Sequence, residues 1–150
     1  MLPVAWAFIR AAQQYGIPHN PDFNGKRQAG CGAYQLTQRN ARRSSCVGSY
    51  IDPVRSRPNL TIITGAEASR ILVEKTRATG VEYTTGQSIQ TARVSREVLV
   101  TSGAIGSPRL LMLSGIGPAS HLRDVGVDVV HDLPGVGENL HDHLLSLIHI

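Results

Sequence analysis

The sequence predicts an α/β chain of mixed α+β character, and three features carry that expectation. Apolar residues between Pro3 and Tyr15 recur at helical spacing. Short strand-like runs between residues 59 and 84, each closed by turn residues, suggest an antiparallel meander. The run Glu97–Ser102 then leads into a small-residue turn, an apolar helix and a glycine stop, a strand–turn–helix unit.

The first helix places Val4, Phe8, Ala11, Ala12 and Tyr15 on one face, with Gly16 as its stop and Pro18 blocking continuation. Residues 17–35 are loop-like, with strong turn chemistry at Asp22-Phe23-Asn24-Gly25. Residues 36–51 are polar, and a short helix over Ser44–Tyr50 is the reading there. After Arg57-Pro58 the texture changes. Strands are expected over residues 59–64, 70–74, 80–84 and 97–102. Ser107 is expected to cap a helix with Pro108 at its first position, and Gly115 to end it. A second helix over Pro118–Val125 and a short strand over Val127–Val130 follow, then a tight loop at 132–137.

Composition excludes several classes. With 150 residues, 41% hydrophobic and 17% charged, the chain reads as one ordinary globular segment rather than a disordered one. The net charge of +4 is carried by arginine, since Lys26 and Lys75 are the only lysines. Arg39, Arg42 and Arg43 form the one local cluster. No aromatics interleave with it, so a solvated, salt-bridged face is expected and no nucleic-acid partner. Cys31 and Cys46 show no CxxC spacing. They are read as free thiols, with a single bridge as the alternative. No run approaches the length of a membrane-spanning helix, and the start lacks the basic region of a secretory leader. A cytoplasmic location is the default expectation and otherwise open.

The block Gly103-Ala104-Ile105-Gly106-Ser107-Pro108-Arg109-Leu110-Leu111-Met112-Leu113-Ser114-Gly115-Ile116-Gly117 suits backbone set against a flat, charged ligand. Its small residues keep side chains away, and a helix N-terminus offers positive potential. It also resembles the second signature of the glucose–methanol–choline (GMC) oxidoreductases, FAD-dependent alcohol oxidases and dehydrogenases. Further motifs follow the choline-dehydrogenase-like branch in order: Asp22–Gly25 its DFNG turn, Gln28–Gln35 its QEGxGxYQ stretch, and Thr37–Arg43 with Ser45 and Tyr50 its T-x(5)-R-x-S-x(4)-Y run. Arg57–Thr61 is similar to its RPNL run, Gly80–Tyr83 to GVEY, and Asp132–Leu140 with Asp142-His143 to DLPGVGxNLxDH. Ala29, Ala41, Ser44, Gly48 and His141 depart from the family residues at those places, as does the tail 144–150.

The resemblance implies a segment of a larger enzyme. Residues 1–56 would belong mainly to its substrate-side domain and 57–143 to its FAD-binding domain. The family's G-x-G-x-x-G fingerprint is absent from the sequence, as is its catalytic-histidine motif. No catalytic residue is therefore assigned, and the segment alone is expected to be inactive. Within the family pattern, Ala68 falls where backbone holds the adenine, and Ser102, Gly103 and Ala104 where a strand end meets the flavin side of FAD. The implied substrate is a small alcohol; its electron acceptor is open. His141 and His143 alternate as two metal ligands can, but the matching family loop is metal-free, and no metal site is assigned. The rival reading is a non-catalytic binding or regulatory module that retains the scaffold.

Overall fold

The computed structural model describes residues 3–142 and divides into two compact units, Met1–Thr61 and Ile62–Ile150. In the first, α1 spans Pro3–Gln14 and ends as expected at Gly16, where the amides of Gly16 and Ile17 donate to the Gln13 and Ala12 carbonyls. Its inward face differs from the expected one. Ile9 is buried and Ala5 and Ala12 half-buried, while Phe8 and Tyr15 are 73% and 88% exposed. Neighbouring residues of a helix point about 100° apart, so seating Ile9 turns the Val4–Phe8–Tyr15 row outward. The buried Cys31, in the loop that follows, lies beside Ile9, its thiol donating to the backbone carbonyls of Ile9 and Ile17.

That loop is organised by the buried Asn20. Its side-chain amide donates to the Arg27 carbonyl at 2.7 Å, and its Oδ1 accepts from the Asp22 amide. A parallel bridge joins His19 to Cys31. A Cβ on Gly32 would lie 2.1 Å from the Asn20 carbonyl oxygen, so the close approach of the two chains explains that glycine. Two-residue strands, β1 (Gln38–Arg39) and β2 (Arg42–Arg43), form a hairpin whose turn residues Asn40 and Ala41 have φ of 52° and 57°. The expected helix over Ser44–Tyr50 is instead a π-helical turn at Val47–Ile51, followed by a 3-10 turn at Asp52–Val54.

The second unit holds the meander. Strands β3 (Ala66–Glu74), β4 (Arg77–Thr85) and β5 (Ser88–Arg93) pair antiparallel in sequence order. Left-handed residues Lys75 and Gly86 sit in the turns. The expected strands at 70–74 and 80–84 lie inside β3 and β4; β5, polar and fully exposed, gave no apolar alternation to find it by.

The expected strands at 59–64 and 97–102 are absent as strands. Both segments carry strand-grade residues, yet no strand among the described residues pairs with either. Leu99 is 76% exposed. A strand is defined by its ladder, and propensity without a neighbour leaves only extended backbone. The small cores fit this picture. Among the described residues the buried apolar side chains are Ile9, Cys31, Ile71, Leu110, Leu122 and Val136.

Helix α2 (Gly103–Leu113) packs on β3, and the contact is made at its far end. Ser114, 1% exposed, accepts the Ile71 amide on its Oγ at 2.8 Å and donates the same hydroxyl to the Leu110 carbonyl at 2.6 Å. Beyond it, β6 (Ile116–Gly117) pairs parallel with β7 (His131–Asp132), around α3 (Ala119–Asp124). The expected strand at 127–130 is displaced to β7 because the Val130 and His131 amides both donate to the Gly115 carbonyl, which leaves 131–132 to run beside β6. Pro118 cannot cap α3, and Asp132 does so across the turn, accepting the Ala119 amide at 2.9 Å.

Two stability effects follow. Ser114→Ala leaves the buried Ile71 amide without its acceptor and lowers stability by about 2 kcal/mol in urea titrations. Gly115 and Gly126 share a left-handed backbone, but a Cβ at 115 would meet the Asp128 oxygen at 2.4 Å while at 126 nothing lies within 4 Å. Gly126→Ala therefore costs about 1 kcal/mol and Gly115→Ala about 3 kcal/mol or more by the same measurement.

Candidate cofactor site

The segment 97–102 delivers the chain to Gly103, whose φ of +83° turns it into α2. Glycine is needed there for the backbone angle, and the space beyond it is open. The helix begins five residues earlier than expected, at Gly103 rather than Pro108. Ser102 occupies the capping position without a side-chain bond, and Ser107 lies inside the helix with Pro108 after it. Ser107 reaches back: its Oγ accepts the Ser102 amide at 3.0 Å. Gly106 makes room for this, since a Cβ there would stand 3.0 Å from that of Ser102. The first-turn amides of α2 thus face outward uncapped, with the positive end of the helix dipole behind them. Ser102, Gly103 and Ala104 are brought together there, all exposed.

One flank of α2 and the loop after β7 enclose a cleft of about 700 Å³. Ala104, Ile105, Pro108 and Met112 line it from the helix, Val136 and Leu140 from the loop. Gly137, at φ +83°, lets the loop approach the Met112 methyl, which would lie 3.2 Å from a Cβ there. Asn139 holds a left-handed φ of 55°. The cleft combines apolar walls with a helix N-terminus at one end. Sequence reasoning did not assign it. Its signal was the 132–142 motif, read then only as a match.

Ala68 lies on β3, the strand of the meander that borders α2, opposite Tyr83 and just before a bulge at Ser69. It is exposed. Next to it, Glu67 accepts from the Arg109 guanidinium at 3.4 Å, linking this stretch of β3 to α2. Arg109 stands five residues past Ala104, about 7.5 Å along the helix axis. The Glu67–Arg109 pair ties this stretch of β3 to the middle of α2, while the Ser102–Ala104 bend lies at the start of the helix. Among the described residues no three histidine, cysteine or acidic side chains converge as a metal set. His143 and His149 lie outside the described residues.

Known proteins resemble this chain over most of its length. Residues 2–145 match the GMC oxidoreductase family model. The chain is 46% identical over 142 residues to an oxygen-dependent choline dehydrogenase of Brucella ovis, covering 95% of this chain and 26% of that protein. It is 48% identical over 145 residues to the one of Pseudomonas putida, with the same two coverages. Among solved structures it is similar to pyridoxine 4-oxidase from Mesorbium loti, with a TM-score of 0.80 and 34% identity over 89% of this chain and 26% of that one. It is also similar to an FAD-dependent oxidoreductase from Chaetomium thermophilum, with a TM-score of 0.73 and 31% identity over 89% and 24%. The chain spans about a quarter of the length of these curated relatives. The glycine-led helix, the meander beside it and the loop that walls the cleft all lie within the matched residues, and the chain belongs to the GMC oxidoreductase family.

Proposed function

We infer that the chain forms part of the cofactor-holding framework of an FAD-dependent oxidoreductase that converts a primary alcohol to an aldehyde. The reading rests on the bend at Ser102–Ala104, an exposed and uncapped helix start with no side chain above Gly103. Such a bend accepts a flat, electron-rich ring edge or a phosphate against bare backbone. The apolar cleft beside it and the exposed β3 stretch around Ala68 suit the remaining length of a dinucleotide. FAD, when bound, supplies the two-electron acceptor for alcohol oxidation.

The contribution of this chain is positional. Ser102, Gly103 and Ala104 lie along the flavin portion and direct the dipole of α2 at it. Ala68 holds the adenine end through main-chain groups, for which its small side chain is no obstacle. Residues 1–56 belong mainly to the substrate-side domain and residues 57–143 to the FAD-binding domain. No residue of the chain is assigned as the base that takes the alcohol proton. The choline dehydrogenase relatives make a choline-like alcohol the first substrate to test.

The test is a chimaera in which residues 2–145 replace the matching segment of the Pseudomonas putida enzyme. It is expected to retain flavin absorbance and to oxidise choline. In it, Gly103→Ala and Gly126→Ala impose the same backbone strain, and both added methyl groups enter open space. Both are expected to cost about 1 kcal/mol of stability. Only Gly103→Ala is expected to weaken flavin retention, by about tenfold, or 1.4 kcal/mol. Equal retention by the two variants contradicts the assignment.

A further inference from the structure

Charge is distributed unevenly along the chain. Residues 1–61 hold eight of the 15 basic residues but only two of the 11 acidic ones, a net +6 against −2 for residues 62–150. Both acids of the first unit are engaged. Asp22 accepts from the Asn24 amide and the Gln35 side chain, and Asp52 is bridged to Arg55 at 2.9 Å. Arg39, Arg42 and Arg43 are exposed, as a solvated face requires, but the expected salt bridges are absent among the described residues.

The hairpin also concentrates these charges. Arg39 and Arg42 are directly opposed across β1 and β2, so their side chains leave the same face, where like charges repel. Ala41, at φ 57°, adds left-handed strain to the turn that creates the pairing. Below the hairpin lies a hollow of about 500 Å³ lined by Arg39, Arg42, Arg43, Ser44 and Ser45 among others, with no carboxylate in its wall. The Ser45 Oγ accepts the Gly48 amide, which leaves its own O–H to donate; Ser44 and Ser49 share one bond, which leaves one further O–H.

We propose that this hollow binds a tetrahedral oxyanion of the phosphate class. Two face-sharing guanidiniums and adjacent hydroxyls match the several oxygens of a dianion, whereas a lone carboxylate satisfies one guanidinium only. The proposal does not depend on the flavin reading.

Calorimetric titration of the chain with inorganic phosphate, at constant ionic strength against acetate and chloride, tests it. Saturable phosphate binding at least about tenfold tighter than acetate is expected. Arg39→Gln and Arg42→Gln each weaken it about tenfold, Arg42→Lys about threefold, and Arg57→Gln, an exposed arginine away from the hollow, leaves it unchanged. Far-UV circular dichroism identifies any glutamine variant that unfolds, and Arg42→Lys against Arg57→Gln then decides. Phosphate no tighter than acetate overturns the proposal, as does equal weakening by Arg57→Gln. Binding confined to phosphatidylglycerol vesicles, with no response to free phosphate, overturns it too.

Discussion

A single buried hydroxyl sets the geometry of the second unit. Ser114 receives the Ile71 amide from β3 and returns its proton to the Leu110 carbonyl, so the last turn of α2 is fastened to the strand that borders it. The Glu67–Arg109 pair crosses the same interface, but both side chains are well over half exposed, and an exposed pair contributes little. Orientation therefore comes from Ser114 and the apolar contacts of Leu110 and Ile71. From there α2 runs 11 residues, about 16 Å, back to Gly103. Ser114 thus fixes one end of the rod whose other end is the Gly103 bend.

The unladdered segments explain why so little of the chain is buried. Residues 60–64 and 97–101 carry Leu, Ile and Val in runs that sheets favour, yet lie extended without partners among the described residues. The second of these delivers the chain to Gly103. The bend thus follows directly from strand-grade sequence whose hydrogen-bonding capacity the described residues leave unused, in a chain that spans about a quarter of its relatives.

Local patterns were legible where local physics decides. Turn residues and apolar runs located β3 and β4, and Gly115 marked the end of α2. Glycine was expected at 103, although for its small size, whereas its positive φ supplies the requirement. Legibility failed where a distant partner decides. Ile9 is buried next to Cys31, while the more apolar-looking Val4–Phe8 face is exposed. Ser107 looked like a cap because Pro108 follows it, but its hydroxyl bonds backward to Ser102. The arginine cluster is solvated as expected, but Asp22 and Asp52 are engaged elsewhere and leave it without an ion pair among the described residues. The cleft required the 135–141 loop to lie against α2, a contact that the loop motif marks but that no local spacing specifies.

The most direct measurement is a crystal structure of the chimaeric enzyme with FAD bound. The account predicts main-chain atoms of Ser102, Gly103 and Ala104 in van der Waals contact with the flavin, and the Ala68 backbone beside the adenine. A structure in which polypeptide covers that bend, with the flavin lying elsewhere, contradicts it.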